Sequence, residues 1–457
     1  MTTQIVTTES LTLTRTRAPA LPYAPVQYDR QYQDTFNNIL RQYFNTLDNF
    51  IEQLMATTST LPVSIGGTNL DAFGRLRVSQ PYTLFDSQNR YQKDPQFSEE
   101  LTTGGTATFV ANESSVDLAV TTSSGSKAVR QTFRVFPYQP GKGLLVLATF
   151  VMSTKKAGLR QRVGYFNADN GVFLQVADTG EPQFVLRTNT SGTPSDTRTV
   201  AQSAWNGDKL DGTGASGITL DLTKAQILWM DFEWLGVGSV RCGFIIDGQY
   251  IVCHTFNNAN DLDKVYMTTA ILPVRYEIEN TTATASASTL TQICSSVISE
   301  GGYDQKAIPQ WARRTTTLTG VTTTFVPIIS IRLKSTSLGA VVIPSVYHAI
   351  PIGSVLDYEV VLIKNPTLTG ASFTSNSTNV ELDVTATALT GGTIVDLDYV
   401  SGSNQGSGVV STGDSYNFDL QLGASLAGVS DIFTLAARTI SGTDDIIGSM
   451  SYYDLTD

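Results

Sequence analysis

The clearest periodic pattern of apolar positions lies near the start of the chain. In DTFNNILRQYFNTLDNFIEQLM (residues 34–55), Phe36, Leu40, Tyr43, Leu47, Phe50 and Leu54 recur at spacings of four, three, four, three and four. That is a heptad seam, and it predicts an amphipathic helix. Ile39 and Ile51 widen the stripe, and Phe44 borders it. So many large apolar groups on one helix need a cover. The TTST that follows supplies no partner helix, so the expected cover is the same helix of neighbouring subunits or a groove in another protein. The alternative is the chain's own sheet domain. Ahead of the helix, residues 1–33 read as extended, because Pro19, Pro22 and Pro25 forbid a helix there. This stretch is either a tail or an arm that orders against a partner.

From residue 101 to 300 the pattern changes to short apolar or alternating runs. They include ATFVA, SVDLAV, VRQTFRVF, GLLVLATFVM, LRQRVGYF, VFLQV, QFVLR, ILWMDFEWL, VRCGFII, YIVCHTF, YMTTAI and VRYEIE, separated by Gly, Asn, Asp or Pro. Such runs predict one large antiparallel β-sandwich, jelly-roll or lectin-like, with a single barrel as the alternative. Asn170-Gly171 marks one turn and Asp247-Gly248 another. If the second is a two-residue turn, Ile246 faces Gln249 and Cys242 falls opposite Cys253. Paired Cα atoms about 5.5 Å apart would permit a disulfide, but a reducing compartment favours two free, buried thiols.

Residues 61–100 read as a junction. Asp71, Arg75, Arg77, Asp86 and Arg90 form a candidate ion-pair cluster there, with Arg75, Arg77 and Asp86 as a clasp. Residues 301–457 read as a second all-β domain, with FVPIISIRL, AVVIPSVYHAI, YEVVLI, NVELDVTA, SYNFDLQL and IFTLAARTI as its strands. The organisation is therefore an arm and helix (1–60), a junction, a sandwich (101–300) and a C-terminal β domain.

Charge sharpens this division. From residue 335 onward there are thirteen acids and two bases, Lys364 and Arg438; the difference equals the whole net charge of -11. An acidic head on a near-neutral base suits an outward-facing domain. The net charge also excludes a bulk nucleic-acid binder. Charged residues are only 16% of the 457, and abundant threonine takes their place, which favours exposed sheet over helix.

Candidate chemistry is sparse. The two histidines, His254 and His348, and three cysteines match no zinc spacing and form no catalytic triad. No nucleotide loop is present, and no cofactor or metal is expected. Asp208 and Asp211 lack EF-hand spacing. Trp229, Phe232, Trp234 and Phe244 are either sandwich core or, at Trp229 and Trp234, a glycan-stacking platform. Asp231 and Glu233, two apart on one strand, have the look of a glycosidase pair; a carbohydrate-active sandwich enzyme is thus an alternative, and a non-enzymatic role is the expectation. MTTQIVTTES lacks the regions of a signal peptide, and no apolar run reaches the roughly 18 residues of a spanning helix.

LDAFGRLRVSQPYTLFDSQNRYQKD (residues 70–94), YDRQYQDTFNNILRQYFNTLDNFIEQL (28–54) and LWMDFEWLGVGSVRCGFIIDGQYIVCHTF (228–256) resemble segments of virion structural proteins of tailed, marine-type bacteriophages. The resemblance spans roughly residues 23–300. It implies a tail or baseplate-associated fibre or spike subunit, made in the host cytoplasm and working in the particle. Residues 1–60 would anchor it to other virion proteins, with Phe36, Leu40, Tyr43, Leu47, Phe50 and Leu54 carrying assembly, a homotrimer by preference. The β domains would project, toward host-surface carbohydrate in one version. A head decoration or head fibre is the structural alternative.

Overall fold

The computed structural model describes residues 21, 26, 27, 29–60, 80–304, 306–353, 356–402 and 418–456, with the helix described by its backbone alone over 49–60. The arm over 1–20 and the clasp residues Arg75 and Arg77 lie outside the described residues. The chain is mainly β, with one N-terminal helix followed by two antiparallel β domains.

The helix runs Arg30–Thr60, longer at both ends than the periodicity predicts. Asp29 sets its start: its carboxylate accepts the Gln31 N–H at 2.8 Å, and its carbonyl accepts the Gln33 N–H. Nothing forbids helix until Pro62, which disfavours helical backbone at the residue before it. Thr35 and Thr46 satisfy their hydroxyls on the carbonyls four residues back, which lets poor helix formers sit inside it.

The first β domain is a sandwich. One sheet runs, in spatial order, Gln249–Phe256, Val240–Ile246, Gln226–Phe232, Gly143–Val151, Ser288–Glu300, Ser115–Val120 and Thr106–Val110; Pro81–Gln88 also pairs with Ser288–Glu300. The other runs Ser195–Ala201, Gln183–Thr188, Gly171–Ala177, Leu159–Phe166, Val274–Asn280, Lys127–Thr132 and Phe97–Thr102. Alternate side chains of both sheets meet in one core: Val146, Phe150, Leu228, Met230 and Phe232 from the first, Val163, Leu174, Val274, Tyr276 and Ile278 from the second. The Tyr165 hydroxyl, fully buried, lies within hydrogen-bond reach of the Phe136 and Ala270 carbonyls, which share its one proton, and accepts from the Leu272 N–H, so it staples the short ribbon of Phe136–Pro137 and Ile271–Leu272.

Several expectations need correction. Residues 61–100 are not all junction: Pro81–Gln88 and Phe97–Thr102 are sheet strands. In YMTTAI only Ile271 is in a strand, because Thr268 is tied into a loop by Asn170. The described part of SYNFDLQL is a turn of 3-10 helix, Phe418–Leu420. Around Asn170-Gly171 the strands close at Phe166 opposite Gly171, leaving a four-residue loop pinned by the Asn167 side chain. The 247–248 turn is as expected, with Ile246 opposite Gln249. A bulge at Cys253, opposite the Cys242–Gly243 step, then shifts the register, so Cys242 faces His254 and not Cys253. Both thiols are free and buried, and burial pushes both above the ordinary thiol range.

The second β domain packs a six-stranded sheet, ordered Thr374–Ser375, Val380–Asp383, Val326–Leu333, Ile432–Thr439, Asp357–Lys364 and Thr393–Ser401, against a four-stranded one. In the latter, Asp444–Asp454 pairs with Pro309–Arg313 and Leu318–Val321 on one edge and with Val342–Ile352 on the other. The two β domains share packing. Val341 and Ile343 join the first core. Arg134 pairs with Asp419 at 3.0 Å. Gly423 lies where an added Cβ would come within 2.7 Å of the Phe133 carbonyl oxygen, so only glycine allows this approach. Among the described residues no helix is long and apolar enough to cross a membrane.

Candidate functional site

The strand Gln226–Phe232 turns Leu228, Met230 and Phe232 into the core and Trp229 and Asp231 to the opposite face, with Glu233 following. That opposite face is covered too. Trp229 is 1% exposed and Asp231 and Glu233 are 0% exposed. The Trp229 indole lies over Gly243, its cross-strand neighbour, donates to the Phe244 carbonyl at 3.3 Å and meets Tyr250 edge-on. Trp234 packs edge-on against Tyr138 at the core margin. Of the two readings, Trp229 is sandwich interior and Trp234 a half-buried residue packed against the core, so the alternative of a glycan platform at this pair lacks an open face.

The acidic pair is equally enclosed. Asp231 and Arg241 are directly opposed across the strands, and Arg241 Nε donates to Asp231 Oδ2 at 3.0 Å. Glu300 lies close by: an ideal Cβ on Gly143 would sit 3.2 Å from Glu300 Oε2 and 3.7 Å from Asp231 Oδ1. Glu233 lies just past the strand's end at Phe232, and neither it nor Asp231 is exposed to a sugar.

The outer face of the second sheet carries an ionic ladder that the alternation in LRQRVGYF and VRYEIE could have disclosed. Register places Arg160 opposite Glu279 and Arg162 opposite Glu277. Arg275 bonds Glu277 at 2.6 Å, and Arg187 bonds Asp196 through two 2.7 Å contacts. Burial alone would raise the Glu277 carboxyl, yet Arg275, Arg162 and Arg160 together hold it below the ordinary range. Burial brings Arg162 down to about 10 against the pull of Glu277. Arg162 and Arg187 lie over Phe173 at 5.3 and 5.2 Å. Every charge here meets an opposite one, which makes this a brace for the sheet.

The loop after Trp205 closes the edge of the first sheet. Gly207 and Asp208 donate backbone N–H groups to Cys253 and Val252, and Asn206 exchanges bonds with Thr255. Asp208 accepts the Leu210 and Ser216 N–H groups at 2.9 and 2.7 Å, and Asp211 accepts from Thr213. Those carboxylates shape turns. Among the described residues no cluster of histidine, cysteine and acids could hold a metal.

On the helix, no side chain described over 30–48 is buried. Phe36, Leu40, Tyr43 and Leu47 are half-buried, and Phe44 is 54% exposed. The side chains of Phe50 and Leu54 lie outside the described residues. Asp86, the described member of the clasp, is exposed on Pro81–Gln88 opposite Ser296.

The second β domain holds an aromatic that the sequence reading passed over. On Pro309–Arg313, Ala312 points inward at 0% exposure while Trp311 stands out at 56%. Arg313 is exposed on the same side, its guanidinium 4.8 Å from the Trp311 ring centroid. Register sets Trp311 beside Ser451 and Val346, and Arg313 beside Ser449 and His348. The signal available was the alternation W-A-R in a short strand.

No family model matches the chain, and no curated protein matches it. Weak likenesses to solved structures exist. A Bacillus licheniformis β-glucanase is 11% identical over 47% of this chain and 96% of its own, with a TM-score of 0.31. The Emp47p carbohydrate recognition domain is 12% identical over 47% of this chain and 94% of its own, with a TM-score of 0.31. A Shewanella oneidensis MR-1 protein of unknown function is 11% identical over 55% and 96%, with a TM-score of 0.33. Likenesses this distant carry no argument about site or activity.

Proposed function

We propose that this chain is a non-enzymatic structural protein of a tailed-phage virion, a tail or baseplate-associated fibre or spike subunit that assembles through its N-terminal helix and projects its β domains. The observation that carries this reading is the seam of Phe36, Leu40, Tyr43 and Leu47, which stays half-exposed on a helix with no buried side chain over 30–48. Apolar groups left in that state favour association, at about 25 cal/mol for each Å² removed from water. A homotrimer suits a fibre. The enclosure of Asp231 and Glu233 supports the non-enzymatic part. The resemblance of residues 28–54 and 70–94 to phage structural segments supports the setting.

Sedimentation velocity on the purified full chain tests the core of this reading. The expected result is a stable trimer that a Leu40→Asp, Leu47→Asp double variant reduces to a monomer with its β circular dichroism intact. A wild-type monomer at micromolar concentration overturns it. Imaging of intact particles with the chain traced then distinguishes tail or baseplate from head.

A further inference from the structure

We propose that the open face of the four-stranded sheet in the second β domain binds a saccharide bearing a carboxylate, with Trp311 as the stacking surface and Arg313 as the anion partner. This goes beyond the assembly role and does not depend on it.

The argument starts with charge. The domain's other cations are engaged: Lys306 with Asp304, Arg332 with Glu381, Lys364 with Asp431 and Arg438 with Glu359. Arg314 donates to the Ile328 and Val384 carbonyls, and Lys334 to that of Ser377. The Arg313 guanidinium makes no hydrogen bond or ion pair among the described residues; its contact of note is the Trp311 ring. An exposed guanidinium, unneutralised within a strongly acidic domain, selects an anion, and its planar fork matches a carboxylate.

The surroundings specify what carries that anion. Trp311 is the exposed tryptophan, whereas Trp205 and Trp229 are buried and Trp234 packs against the first core. One face of the indole meets the Arg313 guanidinium, and at 56% exposure the ring still offers flat apolar surface to the C–H face of a pyranose. Beside it, the hydroxyls of Ser449 and Ser451 project on the same face of the central strand, as the alternation of that strand requires. A groove of about 420 Å³ adjoins Arg313 and is lined by His348, Ile350, Ile447 and Ser449 among others. The Arg313 guanidinium lies 4.8 Å from the Trp311 ring centroid, so one sugar unit against the indole places a carboxylate on itself or its neighbour within reach of the guanidinium. A peptide or lipid would use the isoleucines but leaves the serine hydroxyls and the cation without a joint role.

The test is binding of the full chain to immobilised uronate- and sialate-bearing oligosaccharides, their neutral counterparts and inorganic phosphate, with sedimentation run in parallel. The expected result is retention of at least one acidic oligosaccharide, about tenfold or more tighter than its neutral counterpart, as a charged hydrogen bond implies. Arg313→Gln removes that preference, and Trp311→Ala removes binding to both forms. Both positions are exposed, so unchanged thermal unfolding confirms that each variant is folded. Binding of phosphate alone, of none of the panel, or of the acidic form equally by Arg313→Gln overturns the proposal. A change of oligomer on Trp311→Ala without saccharide binding assigns the face to a second copy of this chain and also overturns it. The Leu40→Asp, Leu47→Asp variant should still bind, which separates this site from the assembly seam.

Discussion

Asp231 and Arg241 occupy directly opposed positions on neighbouring strands and form an ion pair in which the carboxylate has no exposure and the arginine side chain only 13%. A carboxylate that suggests acid catalysis in the sequence is thereby part of the sheet's internal bracing. Removing Arg241 deprives a fully buried carboxylate of its directly opposed cation. Arg241→Met is expected to lower the unfolding free energy by about 3 kcal/mol, read from urea titration. A loss below about 1 kcal/mol would place the pair with weak surface bridges.

Gly243 sits beneath the Trp229 indole. A Cβ there would lie 1.9 Å from the Ile251 carbonyl oxygen and 2.9 Å from Trp229 Nε1. Backbone cannot yield by that much locally. Gly243→Ala is expected to cost about 2 kcal/mol or more and to shift Trp229 fluorescence. Wild-type stability in that variant would show that the hairpin register is not held here.

His254 is buried beside Phe256, and burial, with a smaller contribution from Arg198, lowers its pKa to about 4. The unfolded chain protonates this imidazole near 6.5, so between pH 6.5 and 4 the unfolded state binds more protons and stability is lost as the pH is lowered. The loss is about 3 kcal/mol at most. His254→Gln should flatten that limb in urea midpoints taken across pH. Glu277 acts in a different window: its pKa is held down by Arg275, Arg162 and Arg160 against burial. Its contribution is therefore full above about pH 4.3 and is lost as pH falls through the lower folded value. Glu277→Gln should remove the acid limb only. A His254 imidazole signal, assigned by its loss in His254→Gln, that titrates near 6.5 in the folded protein would refute the assignment.

Val341 and Ile343 belong to the second β domain by sequence but pack in the core of the first. The two domains should therefore unfold together. Val341→Asp buries an unpaired charge and should destabilise both by about 3 kcal/mol or more. Hydrogen exchange then accelerates in Gln226–Phe232 and Ile432–Thr439 alike; acceleration confined to the second would mean independent domains.

Local pattern was enough for the class of each element. The heptad stripe predicted the helix, and alternation with turn residues predicted most strands of both β domains, because burial of one face imposes those periods on any sequence. The polar strand Ser195–Ala201 escaped it, since pairing to a neighbouring edge holds it more than its own apolar content does. Which side of a strand stays wet was a tertiary decision. Trp229, Asp231 and Glu233 have the composition of a site and are enclosed, while Trp311, in an unremarked five-residue strand, stands open. The Cys242 register likewise turned on one bulge. Periodicity states that two faces exist; only the packing of distant segments decides which of them water, or a ligand, can touch.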